Sequence, residues 1–146
     1  MRPVDWTRGE YTISDDPARL DHAAIRRFLG GAYWASDRPA AVIERSLEHS
    51  VTFGVYRDGA MVGMARVVTD FATFAWLCDV WLDDEHRGGI GTWLIDTVLQ
   101  HPDLKHVRRW LLATSYSQSL YRRAGFEVVE DGLYMIRTVP YEEPPG

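Results

Sequence analysis

Cysteine is nearly absent: Cys78 stands alone in the chain, so no internal disulfide can form and a disulfide-stapled secreted fold is excluded. Long apolar runs are missing as well. The apolar stretch Phe71 to Cys78 falls far short of the roughly 20 residues that a membrane-spanning helix needs. Basic charge is scarce, with 16 Lys and Arg against 21 Asp and Glu and a formal net charge of −5. That balance leaves no footprint for a phosphate backbone, and no nucleic-acid partner is expected. The 5 histidines and the lone cysteine show no ligand spacing, so no metal is expected either. The start, Met1-Arg2-Pro3-Val4-Asp5-Trp6, lacks the apolar run of a secretory signal, which makes a reducing cytoplasm the expected location, away from any membrane.

What remains is an ordinary globular composition, 46% hydrophobic and 25% charged over 146 residues. A chain of that length buries a real core, and with no linker or repeat it is expected to form a single domain over residues 1–146, its core about 11–139. The acidic balance mildly favours encounters with cationic molecules such as amines.

Local signals give an element order. Tyr11 to Ser14 alternates and carries β-branched residues, predicting an opening strand that stops at Asp15-Asp16-Pro17. Asp21 is placed to N-cap a helix whose apolar side is Ala24, Ile25, Phe28 and Leu29, with Gly30-Gly31 as the stop. A second helix begins at Arg38-Pro39 and shows Val42, Ile43 and Leu47 on one face. Val51 to Tyr56 and Ala60 to Thr69 form a hairpin across Asp58-Gly59. A second hairpin turns near Asp70-Phe71-Ala72 into Phe74 to Leu82, which is apolar on both faces and therefore central. A helix over Thr92 to Gln100, a strand over Trp110 to Ala113 and a helix over Ser117 to Ala124 follow. Two closing strands, Phe126 to Val129 and Tyr134 to Val139, are expected to pair across Asp131-Gly132, and the tail from Pro140 to Gly146 is expected to be loose. The order β-α-α-β-β-β-α-β-α-β-β predicts an α/β (α+β) domain, a mixed sheet with helices on both faces.

One segment carries chemistry more plainly than the rest. A strand runs into His86-Arg87-Gly88-Gly89-Ile90-Gly91-Thr92, and a helix follows. Glycines there let backbone approach a ligand, and the free amides of a helix N-terminus face an anion such as a pyrophosphate. The segment lacks the Lys-Ser/Thr ending of a P-loop and the third spaced glycine of a dinucleotide fingerprint. A second segment, Gly30-Gly31-Ala32-Tyr33-Trp34-Ala35, presents two adjacent aromatics in a loop. Tyr33 and Trp34 either plug the end of the core or form a wall of an acceptor pocket.

Asp79-Val80-Trp81-Leu82 leading into Glu85-His86-Arg87-Gly88-Gly89-Ile90-Gly91, the amphipathic helix after it, and Ser119-Leu120-Tyr121-Arg122-Arg123-Ala124-Gly125-Phe126 together resemble the GNAT superfamily of acetyl-CoA-dependent N-acyltransferases. The resemblance spans roughly Tyr11 to Val139 and implies a GNAT-type, mostly antiparallel central sheet. It also implies acetyl-CoA as cosubstrate and a primary amine, on a small molecule or a peptide, as acceptor. Backbone groups of Val80, Trp81 and Leu82 would meet the pantetheine arm, and the loop amides of Arg87, Gly88, Gly89, Ile90, Gly91 and Thr92 the pyrophosphate. The family's Arg/Gln position falls on His86 by counting, or on Arg87 if the loop is one residue short. Tyr121 matches a tyrosine that protonates the departing thiolate, the general-acid role a phenol can fill. Ser115 and Ser119 flank it as contacts for cofactor or acceptor, or as helix caps. No residue stands out as general base: the matching strand positions hold Trp76 and Cys78, and alternation turns Asp79 to the other face unless a bulge intervenes. His22, His49 and Arg66 are further candidates for acceptor contacts. A GNAT-like module that binds acyl-CoA or a partner without turnover is the alternative, and monomer and homodimer both remain open.

Overall fold

The computed structural model describes residues 2–144. Six strands, β1 (Asp5–Arg8), β2 (Tyr11–Ser14), β3 (Val51–Arg57), β4 (Ala60–Thr69), β5 (Phe74–Leu82) and β6 (Arg109–Leu111), lie side by side in chain order. The first five pair antiparallel, and β6 alone runs parallel to its neighbour. Helices α1 (His22–Gly30) and α2 (Ala40–Glu48) pack on one face, and α3 (Ile90–Gln100) and α4 (Gln118–Arg123) on the other.

Strand alternation divides the core between those faces. Phe53, Val55, Val62, Ala65, Val67, Ala75 and Leu77 meet Leu94, Ile95 and Val98 of α3, whereas Met61, Met64 and Tyr56 meet Ile25, Phe28 and Leu29 of α1. Each Val, Leu, Ile, Phe or Met among them, fully buried, contributes about 1.5–3 kcal/mol. Asp21 caps α1 as its position predicts, accepting from the Ala24 N–H at 3.1 Å. The Asp58-Gly59 turn closes the β3–β4 hairpin, with Arg57 opposite Ala60. A buried pair ties the end of β2 to the end of α3: His101 Nε2 lies 2.7 Å from Asp15 Oδ2, while its Nδ1 accepts from the Asp103 N–H. With Nδ1 accepting, the ring faces Asp15 through Nε2 as the donor.

Two differences from the expected order stand out. Strand β1 is unexpected, because Asp5-Trp6-Thr7-Arg8 has a single large apolar residue. It forms because Trp6 packs on Phe53 and His101, a tertiary contact no local pattern reveals. The two closing strands, by contrast, do not form among the described residues. Gly132 adopts the expected left-handed turn, φ 79°, but the flanks stay unpaired, with Met135 98% and Ile136 91% exposed. A hairpin whose side chains bury little gains too little to offset its ordering. Of the expected loose tail, Pro145 and Gly146 lie outside the described residues.

Parallel pairing between β5 and β6 is confined to Phe74 with Arg109, Ala75 with Trp110 and Trp76 with Leu111. Strand β5 then runs six residues further to Leu82, while β6 has already ended. The sheet is thus open along the half of β5 that leads to the glycine loop.

Candidate active site

The loop after β5 is built from backbone. Gly88 and Gly89 take φ of 102° and 96°, which a side chain would strain, and a Cβ on Gly88, Gly89 or Gly91 would meet nothing within 4 Å. Gly89 is the N-cap of α3 and offers no capping side chain, so the first-turn amides of Ile90, Gly91 and Thr92 have neither a helical partner nor a side-chain cap. An open, uncapped helix start edged by two left-handed glycines has the shape and polarity to hold a pyrophosphate. The side chains flanking it divide. His86 is buried and its Nδ1 lies 2.8 Å from the Tyr11 hydroxyl, so its ring faces β2. Arg87 is exposed and pairs with Asp84 beside it, at 3.1 Å.

Strand β5 bends before it reaches the loop. Met64 faces Trp81 and Arg66 faces Cys78, so Ala65 alone opposes two residues, Asp79 and Val80, and Asp79 sits at φ 51°. This β-bulge turns the Asp79 carboxylate onto the Arg66 face of the sheet, against simple alternation. There Oδ2 accepts from Arg38 Nη1 and from Arg66 Nε, each at 2.8 Å, and Oδ1 from Trp34 Nε1 at 3.1 Å. Burial alone would raise the Asp79 pKa, but the two guanidinium groups hold it below its ordinary value. A carboxylate so saturated is a poor proton acceptor. Burial also pushes the neighbouring Cys78 thiol up to about 11, which leaves it protonated and inert at neutral pH.

Tyr121 is buried in α4, its ring edge-on to Phe126 at 5.9 Å. Burial raises its phenol to about 12, with the Tyr33 hydroxyl acting in the same direction. A cleft of about 790 Å³ opens beside it, lined among others by Trp76, Leu112, Thr114 and Gln118. That volume suits a sizeable ligand. The cleft includes neither Val80 to Leu82 nor the glycine loop, which flank the open half of the sheet instead.

Tyr33 and Trp34 do not plug the core; Ala32 and Ala35 are buried in their place. Tyr33 is 60% exposed and stacks edge-on with Tyr116, which lies just ahead of α4, while Trp34 leans on Trp81 of β5. These contacts join the early loop to the segment that carries Tyr121. Ser115 and Ser119 are exposed at the start of α4, and neither is its N-cap, a position held by Ser117. His22 is engaged with Glu44, and His49 ends α2. The sequence did not point to Arg38 as a partner of Asp79. Its only signal was an aspartate inside an otherwise apolar strand.

The family model for the acetyltransferase (GNAT) family matches residues 10–126. A candidate acetyltransferase of Gibberella zeae is 33% identical over 142 residues, covering 82% of this chain and 80% of the relative. Among solved structures, a candidate GNAT-family acetyltransferase of Xanthomonas campestris superposes with a TM-score of 0.84 at 44% identity, over 89% of this chain and 94% of that one. A GNAT-family acetyltransferase of Elizabethkingia anophelis with acetyl-CoA bound shares the fold, with a TM-score of 0.66 at 16% identity over 84% of this chain and 80% of that one.

Proposed function

The chain belongs to the GNAT acetyltransferase family, and from that premise we propose that it moves an acetyl group from acetyl-CoA to a primary amine, with Tyr121 as the general acid. The observation that carries this reading is the opening of the sheet after three parallel pairs, with an uncapped glycine-edged helix start at one side of it and Tyr121 at the other.

Acetyl-CoA, when bound, supplies an activated thioester. First-turn amides of α3, from Ile90 to Thr92, and the loop from Arg87 to Gly89 would hold its pyrophosphate, with exposed Arg87 adding a positive charge. His86, turned toward Tyr11, would contribute through the backbone rather than its ring. Val80, Trp81 and Leu82 lie beyond the end of β6, and their backbone groups are the ones available to the pantetheine arm. The bulge at Asp79 fixes the direction of the Val80 N–H, the candidate donor toward a developing oxyanion. Tyr121, held protonated by burial, delivers its proton to the leaving sulfur. Neither Asp79 nor Cys78 has the basicity or freedom to deprotonate the amine, so that proton leaves through water or backbone carbonyls.

The test pairs thiol release over an amine panel with mass detection of the acetylated product, for wild type and Tyr121→Phe. The phenylalanine keeps the ring and its packing on Phe126. General acid catalysis is worth about 10²–10⁴-fold, and kcat should fall by that order while acetyl-CoA affinity changes little. Acetyl-CoA binding without thiol release on any amine would overturn the enzymatic reading. Full activity in Tyr121→Phe, with chemistry shown to be rate-limiting, would remove only the acid.

A further inference from the structure

Two guanidinium groups share one carboxylate beside the proposed acceptor site. Arg38, just ahead of α2, and Arg66, on β4, both bond Oδ2 of Asp79, so the three groups sum to one positive charge that no other carboxylate among the described residues is bonded to. It stands in a protein of net charge −5. The carboxylate is closed to solvent at 1% exposure, but the two arginine side chains keep 11% and 12% open. Each guanidinium has five N–H donors. For Arg38 the bonds to Asp79 and the Tyr141 hydroxyl use two; for Arg66 the bonds to Asp79 and the Ser50 hydroxyl use two. Asp79, already bonded by Trp34 as well, has little left to accept the others.

A largely buried cation that lacks a full counter-charge among the described residues is costly, and a balanced ion pair would have needed one arginine. The second is explained if an anion from outside completes the set. The location fits the acceptor: Asp79 precedes Val80 in the chain, and Trp34 links the carboxylate to the exposed Tyr33. One spare positive charge matches a monoanion better than a dianion.

We infer that the Arg38–Asp79–Arg66 cluster receives a carboxylate of the acceptor, so that the preferred substrate is an amine that also carries a carboxylate, as in a free amino acid. The inference rests on the amine-acetylation reading and adds the substrate class to it. Charge-assisted bonds from arginine to a carboxylate are strong, and removing the anionic group should cost roughly tenfold or more in kcat/KM.

The experiment compares α- and ω-amino acids with their amides and with aminoalkyl phosphonates, each kcat/KM corrected for the fraction of free amine. Wild type, Arg38→Met, Arg38→Lys and Arg66→Met are measured, with calorimetric binding of the same amines in the presence of CoA. Wild type should prefer an acid to its amide by about tenfold or more. Arg38→Met, which leaves a neutral Asp79–Arg66 pair, should bring that ratio near unity, and Arg38→Lys should restore part of it. Arg66→Met carries the same expectation if Arg38→Met fails to fold. Equal turnover of acid and amide by wild type overturns the inference and leaves acetyl transfer standing. A preference for phosphonate over carboxylate overturns the assigned class. Carboxylate-dependent binding that Arg38→Met abolishes, without any thiol release, supports the anion site and defeats the transfer reading. Absence of both turnover and binding defeats both.

Discussion

The aspartate cluster sits on β5 and the glycine loop follows that strand, and the two are built in opposite ways. In the loop, backbone forms the exposed surface: left-handed glycines and an uncapped helix start leave N–H groups without a side-chain cap. In the cluster, side chains do everything, and both Asp79 oxygens are engaged by three residues drawn from distant parts of the chain. Loop chemistry therefore survives changes of neighbouring side chains but not of backbone conformation. For the cluster the reverse holds, since its geometry depends on charges that must stay matched.

The sharpest way to break this contrast is to delete the carboxylate. Asp79→Ala should destabilise the fold by about 3–5 kcal/mol, the usual cost of leaving a buried charge without its partner. Asp79→Asn, which keeps an acceptor in the same place and tolerates positive φ, should cost less. The acid dependence has a definite sign. The folded pKa of Asp79 is depressed, so its contribution is complete above the unfolded value, about 3.9, and is lost as pH falls through the lower folded value. Urea unfolding at pH 7 and at successively lower pH should show the gap between wild type and Asp79→Asn narrowing below about pH 4. A gap independent of pH would mean that charge is not what Asp79 contributes.

A smaller effect, confined to binding, is expected at the loop. Gly89→Asp places a side chain at φ 96° and a negative charge at the helix start. Strain of about 1–2 kcal/mol and loss of a similar size from the reversed charge should weaken acetyl-CoA binding roughly 30- to 1000-fold. Gly89→Ala separates the two causes, because open space surrounds its Cβ and only the strain remains. Calorimetry should find the affinity of Gly89→Ala between those of wild type and Gly89→Asp. Equal affinity of all three proteins, each folded, would remove the loop from the cofactor site.

The same contrast explains what could be read in advance. The loop was legible because its signal is local: a strand, glycines in close succession and an amphipathic helix, in chain order. Helix α1 was legible for the same reason, through Asp21 and the spacing of Ala24, Ile25, Phe28 and Leu29. Asp79 was not, since one inserted residue reverses the face of a side chain, and nothing in Cys78-Asp79-Val80 marks the insertion. The closing hairpin failed differently. Its turn at Gly132 formed, yet pairing needs a surface to bury against, and Val128, Leu133 and Ile136 remain exposed. Strand β1 shows the converse, with Trp6 finding such a surface on Phe53 where local propensity offered little.

The mildest change tests whether the aromatic loop belongs with the cluster or merely beside it. Trp34 donates to Asp79, so replacing it would disturb the ion pairs as well as the pocket. Tyr33 is the cleaner probe. Its ring packs edge-on against two exposed aromatics, Trp34 and Tyr116, and an exposed substitution of this kind changes stability by no more than about 0.5 kcal/mol. If Tyr33 forms one wall of the acceptor pocket, Tyr33→Ala should raise the acceptor KM about three- to tenfold, a loss of roughly 0.7–1.4 kcal/mol. Acetyl-CoA affinity should stay unchanged, because the glycine loop lies on another element. Its hydroxyl also bears on the Tyr121 phenol, so kcat against pH serves as the control, and Tyr33→Phe isolates that contribution from the ring. A rise in KM shared by Ala and Phe would assign the effect to the hydroxyl. An unchanged KM in Tyr33→Ala would detach the loop from acceptor binding and leave the arginine cluster to select the substrate alone.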